Sequence, residues 1–400
     1  MRSAPSLASR TAAISVLCFS LGYCLRAFLA SRSGSPRGIT KSPRHMLERL
    51  SDEEIAALPY PPDMLPGGRQ VETPYGTIQA YEWGPESGEK VLLIPGIGTP
   101  VLALGELGKE LVERGCRVMM FDLFGRGWSD SPEGAAFDSR LYVSQILLVL
   151  ASSPLPWTGH ESFHLLGYSL GGGLAVSFAR YFPHLIRSLT LVAPAGLVRR
   201  NHVDWKGEVL YSRGLLPEWL RASLVKRRLQ PQKAIADQGS RDAQVVSKEK
   251  EALKQYNSDA SGGDSFDNAV LSSRRPEVTV AAVFSWQLAH HKGFIPAFMS
   301  SIRDAPIYEQ KELWSILGRH LAAIRSEVKS SGSSRQKGKV LLVLGATDPV
   351  IVKDEVIHDA TAVLGEEGME VVVLDAGHEI VITRSSEIAD QAVSFWRAQS

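Results

Sequence analysis

Cysteine is scarce in this 400-residue chain, and the little there is sits badly for cross-linking. Cys18 and Cys24 fall in the N-terminal segment, which leaves Cys116 alone in the body. The body therefore holds neither a disulfide framework nor a zinc-type cysteine spacing. Separately, no motif of the sequence implies a metal or organic cofactor. None of the three asparagines (Asn201, Asn257, Asn268) begins an Asn-x-Ser/Thr acceptor. Both absences lean toward a reducing, non-secretory compartment. An excess of one charge is also missing: 44 basic against 43 acidic residues leaves a net charge of +1. That argues against nucleic acid as the main partner. What remains is ordinary for a globular protein, with 44% hydrophobic and 22% charged residues. The length suits one large domain with insertions, or two domains.

The N-terminus has its own gap. From Met1 to Met46 there are seven Lys/Arg and no acidic residue. Within this stretch lies an apolar run over 12–25, followed by Arg26 and a second short run over 27–30. As a membrane span it is short, because a bilayer-crossing helix needs about 20 apolar residues. As a signal peptide it has the right core length, but Phe28 spoils the small-x-small cleavage pattern ending at Ala30. As a mitochondrial presequence its apolar block is too uninterrupted. Membrane association through residues 12–30 is placed first, with mitochondrial or cytoplasmic location as alternatives. Five Lys/Arg follow the run against two before it, which under the positive-inside rule leaves the body in the cytosol. A fluorescent fusion of residues 1–45 that stayed diffuse in the cytosol would exclude the anchor. Ser51-Asp-Glu-Glu54 then predicts a short helix with a capping box, ended by the Pro/Gly-rich stretch 59–68.

The centre of the chain is Phe163-His-Leu-Leu-Gly167-Tyr168-Ser169-Leu170-Gly171, an apolar run, then Gly-x-Ser-x-Gly, then a stretch of helical spacing over 174–179. This is the nucleophile-elbow pattern, in which a serine sits on a tight strand-to-helix turn. Glycines at 167 and 171 suit a turn whose flanking backbone leaves no room for a Cβ, and the serine backbone is expected to be strained. The motif is short enough to arise by chance in a chain with 35 glycines, so its neighbours must decide.

Around it the pattern alternates. Residues 70–73 and 77–83 read as a hairpin, and 91–94, 117–121 and 188–192 as buried strands. Helices are expected over 102–114 and 141–150. Strands alternating with helices predict a doubly wound, mostly parallel α/β sheet. Pro95-Gly96-Ile97-Gly98 follows one strand, and Asp122-x-x-Gly125-x-Gly127-x-Ser129 another. With the elbow, these turns resemble the α/β-hydrolase family. That resemblance implies that the residue after the first loop glycine, here Ile97, supplies one oxyanion N–H and Leu170 the other. The family's usual His before that loop is Pro95 here. Asp122 reads as structural, a carboxylate tying down loop N–H groups.

After Gly196 the rhythm stops. Residues 199–275 are charged and mostly helical in pattern, with a soft Ser/Gly/Asp stretch over 258–265 expected to be a mobile loop. An insertion at this point resembles the family's cap. Its last part, 291–303, resembles the family's helix just before the seventh strand, and Phe294, Phe298 and Met299 are candidates for an acyl pocket or, more simply, ordinary core. His290 and His291 form a pair without a third ligand nearby, which suits surface or lid packing better than metal. Residues 329–338 read as a flexible basic linker. The strand pattern resumes at Lys339 and again over 369–374, with a closing helix over 386–398. Asp348 and His378 each stand just past one of these strands. The order Ser…Asp…His is the one the resemblance implies for a catalytic triad of Ser169, Asp348 and His378.

The expected organisation is a targeting or anchor segment (1–45), a first core part (46–197), a helical cap and linker (198–338) and a second core part (339–400). The expected function is a serine hydrolase cleaving a small-molecule carboxylic ester, with lipid or acylglycerol esters first among substrates. An aminopeptidase-like hydrolase and a biosynthetic enzyme acting on a natural-product intermediate are the catalytic alternatives; a non-catalytic ligand-binding scaffold is the fourth.

Overall fold

The computed structural model describes residues 15–16, 18–23, 38–159, 161–202, 211, 218–229, 262–331 and 338–399. Its main sheet has eight strands: β1 (Gly68–Val71), β2 (Ile78–Trp83), β3 (Glu89–Ile94), β4 (Cys116–Phe121), β5 (Phe163–Tyr168), β6 (Ile186–Val192), β7 (Val340–Gly345) and β8 (Met369–Leu374). Their order across the sheet is β8-β7-β6-β5-β3-β4-β2-β1. From β8 to β4 every neighbouring pair is parallel, while β2 runs antiparallel to both β4 and β1. The expected α/β architecture is present, hairpin included. Parallel neighbours cannot be joined by tight turns, so the chain crosses back through helices. β5 and β7 are buried along their whole length, as strands covered on both faces must be.

The helices used below are α1 (Gly105–Glu113), α2 (Ser139–Ala151), α3 (Leu170–Tyr181), α4 (Glu218–Leu229), α5 (Val280–His290), α6 (Phe294–Asp304), α7 (Lys311–Ser331), α8 (Lys353–Leu364) and α9 (Ser385–Gln399). α1 packs on α9, while α2, α3, α7 and α8 form a second packed series. Here one sequence expectation is corrected. The helix just before the seventh strand is α7, not 291–303. Its amphipathic pattern seats Leu313, Trp314, Leu317 and Leu321 in the main core, against α3 and α8. This helix belongs to the sheet's own cover although it lies in the stretch assigned to the insertion.

The chain leaves β3 outward to β4 and then returns past β3 to β5. At such a reversal the loops after β3 and β5 leave the carboxyl ends of the strands in opposite directions, which is where ligands generally bind in open α/β sheets. A second apolar cluster, separate from the main core, is built from Tyr211, Val225, Leu229, Leu288, Phe294, Ile295, Phe298 and Met299. Ile97, in the loop after β3, packs against it.

The stretch expected to be a mobile loop is only partly described. Residues 258–261 lie outside the described residues, but from Gly262 onward the chain is packed, with a helical turn at Asp264–Asp267 and a bridge between Val270 and Thr279. In the basic linker, Lys329–Ser331 is the end of α7 and 332–337 lie outside the described residues. Near the N-terminus, residues 15–16 and 18–23 are helical and exposed. Among the described residues no helix is long and apolar enough to cross a membrane; the remainder of the 12–30 run lies outside them. The predicted capping box at Ser51 and Glu54 is formed, each side chain accepting from the other's backbone N–H.

Candidate active site

β5 ends at Tyr168 and α3 begins at Leu170, so Ser169 alone makes the turn, with φ 53° and ψ −121°. A non-glycine residue in this region costs about 1–3 kcal/mol, and it persists only where its surroundings over-determine it. They do so here. The Ser169 N–H donates to the Val192 carbonyl (3.1 Å), and the Ser169 carbonyl accepts from Gly172 (2.8 Å) and Ala195 (2.9 Å). A Cβ at Gly167 would collide with the Gly171 carbonyl, and one at Gly171 with the Ile94 carbonyl. The two glycines are thus required by close backbone approach on either side of the serine.

Asp348 lies beyond β7 and His378 beyond β8, and the parallel sheet brings both to the strand end that carries Ser169. The Asp348 carboxylate is buried, with Oδ1 accepting from the N–H groups of Val350 (2.8 Å) and Ile351 (2.9 Å). Its Oδ2 faces Nδ1 of His378 at 2.8 Å. A carboxylate can only accept, so Nδ1 carries the proton and Nε2 is left as an acceptor. Nε2 stands 3.1 Å from Ser169 Oγ. Tyr168 donates its hydroxyl to the His378 backbone carbonyl (2.6 Å), and the Tyr168 and Phe266 rings lie 5.3 Å and 5.6 Å from the imidazole centroid. The three residues predicted as a set are therefore brought together in hydrogen-bonding sequence.

A family model described as alpha/beta hydrolase fold matches residues 90–385, nearly three quarters of the chain. The chain belongs to this family. Among curated relatives, an uncharacterised protein of Mycobacterium tuberculosis is 32% identical over 144 residues, covering 36% of this chain and 40% of that protein. A serine hydrolase-like protein of Dictyostelium discoideum is 29% identical over 139 residues, covering 34% and 37%. Lipase 1 of Psychrobacter immobilis is 30% identical over 146 residues, covering 36% and 40%. The chain thus spans about two fifths of the length of the curated relatives it matches. Of the solved structures, a bacterial membrane phospholipase A superposes with a TM-score of 0.54 at 18% identity, covering 98% of both chains. The 2-hydroxy-6-oxo-6-phenylhexa-2,4-dienoate hydrolase of Rhodococcus sp. strain RHA1 gives 0.52 at 18% identity, covering 82% of this chain and 98% of its own. At such identities the likeness concerns the fold alone.

In this hydrolase fold the oxyanion candidates sit where expected along the chain, Ile97 in the loop after β3 and Leu170 at the start of α3. Among the described residues neither N–H donates to a protein acceptor. The loop's carbonyls, by contrast, are engaged. Ile97 O accepts from Arg126 Nε (3.0 Å) and Gly98 O from Gln287 Nε2 (3.0 Å).

Asp122 has the structural role read from its motif. Its Oδ1 accepts from Val101 N–H (2.8 Å) and its Oδ2 from Trp128 N–H (2.9 Å), with the Tyr60 hydroxyl at 3.2 Å. Burial pushes its carboxyl up to about 7, against the opposing pull of these donors and of nearby Arg44. The neighbouring Asp130, not singled out in the sequence, ties the N-terminal arm. It accepts from Thr77 N–H (2.9 Å), Ser42 N–H (2.8 Å) and Lys41 Nζ (3.0 Å).

The paired histidines diverge. His290 Nδ1 lies 2.9 Å from the Trp286 carbonyl, while His291 is buried with Nε2 at 2.9 Å from the Ser129 carbonyl. His291 is thus no surface residue; it joins the insertion to the motif after β4. Among the described residues no three His, Cys, Asp or Glu side chains are grouped to hold a metal ion. Phe294, Phe298 and Met299 are fully buried in the second apolar cluster, beside Ile97. Like Asp130, Arg126 and Gln287 are not singled out by the sequence. Arg126 occupies a variable position of its motif, and Gln287 has no local signature, because both meet the loop only through tertiary contact.

Proposed function

We propose that this protein is a serine hydrolase that cleaves carboxylic esters through an acyl-enzyme. The observation that carries the reading is the unbroken hydrogen-bond sequence from Asp348 through His378 to Ser169, on a strained elbow that has no other evident use. His378 Nε2 takes the Ser169 proton as Oγ attacks the ester carbonyl carbon, and Asp348 stabilises the imidazolium that results. The Ile97 and Leu170 N–H groups receive the charge on the carbonyl oxygen. As the tetrahedral intermediate collapses, the bond to the alcohol oxygen breaks and His378 returns the proton to it. Water then attacks the acyl-enzyme with His378 again as base, and Ser169 is regenerated. Epoxide-hydrolase and dehalogenase chemistry is disfavoured, since in such relatives the elbow residue is Asp.

The apolar cluster of α4, α5 and α6 beside Ile97 supports an acyl chain as the portion of substrate held nearest the oxyanion site. Lipid and acylglycerol esters are the substrates such apolar surroundings favour, and the likeness to Lipase 1 over part of the chain points the same way. A panel of p-nitrophenyl esters from acetate to palmitate tests both points. The expected result is turnover with a preference for medium or long chains, lost in Ser169→Ala. Cleavage of aminoacyl-naphthylamides with no ester turnover would replace this reading with the peptidase one.

A further inference from the structure

A loop that offers N–H groups to a forming oxyanion has a requirement beyond the N–H groups themselves. The Ile97 N–H shares its peptide with the Gly96 carbonyl. The carbonyls of Ile97 and Gly98 belong to the next two peptides, and if either of those turns over, the loop loses its course and an oxygen can face the developing negative charge. The carbonyls must therefore be held elsewhere. Where the family usually has His, this chain has Pro95, which offers neither a ring donor nor a backbone N–H to fix the loop.

Two side chains from elsewhere meet the carbonyls instead. Arg126 is fully buried, with Nε on Ile97 O (3.0 Å), Nη1 on Phe124 O (2.9 Å) and the Tyr142 hydroxyl (3.0 Å), and Nη2 on Ser301 Oγ (3.0 Å). None of these partners is a carboxylate. A buried cation without a counter-ion is expensive, and a neutral residue would fill the space more cheaply unless the charge serves a purpose. Gln287, also fully buried, uses both ends of its amide. Its Nε2 donates to Gly98 O (3.0 Å) and its Oε1 accepts from Gly127 N–H (2.9 Å). Gln287 lies on α5 and Ser301 on α6, so two of these anchors come from the insertion.

We infer that Arg126 and Gln287 are positioning residues for the oxyanion site: they fix the two peptides that follow the Gly96–Ile97 peptide, and by restricting rotation at Ile97 they keep its N–H directed at the reacting oxygen. The insertion is then part of the catalytic apparatus as well as a cover, because α5 fixes the loop after β3. This rests on the reading of Ser169 as nucleophile.

The test uses the full chain with Gln287→Met, which is close in volume but makes neither hydrogen bond, and Arg126→Lys, which keeps the charge but not the guanidinium fork. Amide hydrogen exchange over residues 95–101 is measured well below each variant's melting temperature, with peptides from β5 and α3 as internal references. Kinetics use p-nitrophenyl butyrate, and labelling rates use a fluorophosphonate. The expected result is faster exchange confined to 95–101, with kcat lowered about 10- to 100-fold and KM changed by less than about 3-fold. Unchanged exchange over 95–101 overturns the clamp. A rise spread equally over all peptides also overturns it, since that marks a merely structural residue. So does a local rise that leaves kcat and labelling rate at wild-type values. If the wild-type protein neither turns over esters nor takes the label, the reading of Ser169 fails, while the exchange measurement still decides the clamp by itself.

Discussion

Asp348 divides its two oxygens between its own loop and His378, and that division sets the tautomer of the imidazole. With Oδ1 fixed by two backbone N–H groups, only Oδ2 is free to receive Nδ1–H. An Asp348→Asn variant keeps the shape but can present an NH2 group to Nδ1. The imidazole then carries its proton on Nε2, facing Ser169 Oγ, where it cannot act as base. We expect kcat for a p-nitrophenyl ester to fall about 10⁴-fold at neutral pH, with the melting temperature little changed. A loss below about tenfold would show that Asp348 does not govern the base. Ser169, Asp348 and His378 were legible in the sequence because each stands at a strand end in a local pattern: Gly-x-Ser-x-Gly, Asp-Pro, and Gly-His. Arg126 and Gln287 were not legible. What each does is decided by a partner far away in the chain, Ile97 for one and Gly98 for the other.

At the level of elements, the junction between α5 and α6 is where the insertion is joined to the sheet. His291 makes that join through the Ser129 carbonyl, and burial pulls its pKa down to about 4. His164, stacked on Trp396 beneath the sheet, is pulled down to about 3 by burial, with Arg187 adding to the effect. Both side chains are therefore neutral in the folded protein at pH 5, where the unfolded chain binds a proton at each. Their contribution to stability is complete above the unfolded pKa of about 6.5 and is lost progressively as the pH falls toward the folded values. Each should add about 1.4 kcal/mol per pH unit to the slope of acid destabilisation in the steep part of that window. Urea unfolding of His291→Gln at pH 7, 6 and 5 should show lower stability at pH 7 but a slope flatter by about one proton. An unchanged slope would mean that His291 is not neutral in the folded state. Most elements were legible from period and punctuation, and β8 falls on the predicted 369–374 to the residue. α7 was misassigned because its pattern is that of any amphipathic helix. Only the packing of Trp314 into the main core shows which layer it joins.

On the scale of the whole molecule, two parts meet at Ile97: the carboxyl ends of the parallel strands and the apolar cluster of α4, α5 and α6. The first arises from the strand order, which places the loops after β3, β5, β7 and β8 at one sheet end. The residues matched to the family run from within β3 to the start of α9, strands and insertion alike. The second part was only half legible. The break in the strand–helix rhythm marked residues 198–338 as an insertion and linker, but nothing local told that Phe294, Phe298 and Met299 share a cluster with Ile97. Ester hydrolysis by this route requires above all that Ser169 be a nucleophile, and a fluorophosphonate probe followed by peptide mass spectrometry tests that most directly. The predicted result is a single adduct on Ser169, formed in step with the loss of ester hydrolysis and missing from a folded Ser169→Ala variant. An adduct on another residue, or a Ser169→Ala variant that still hydrolyses esters, would contradict it.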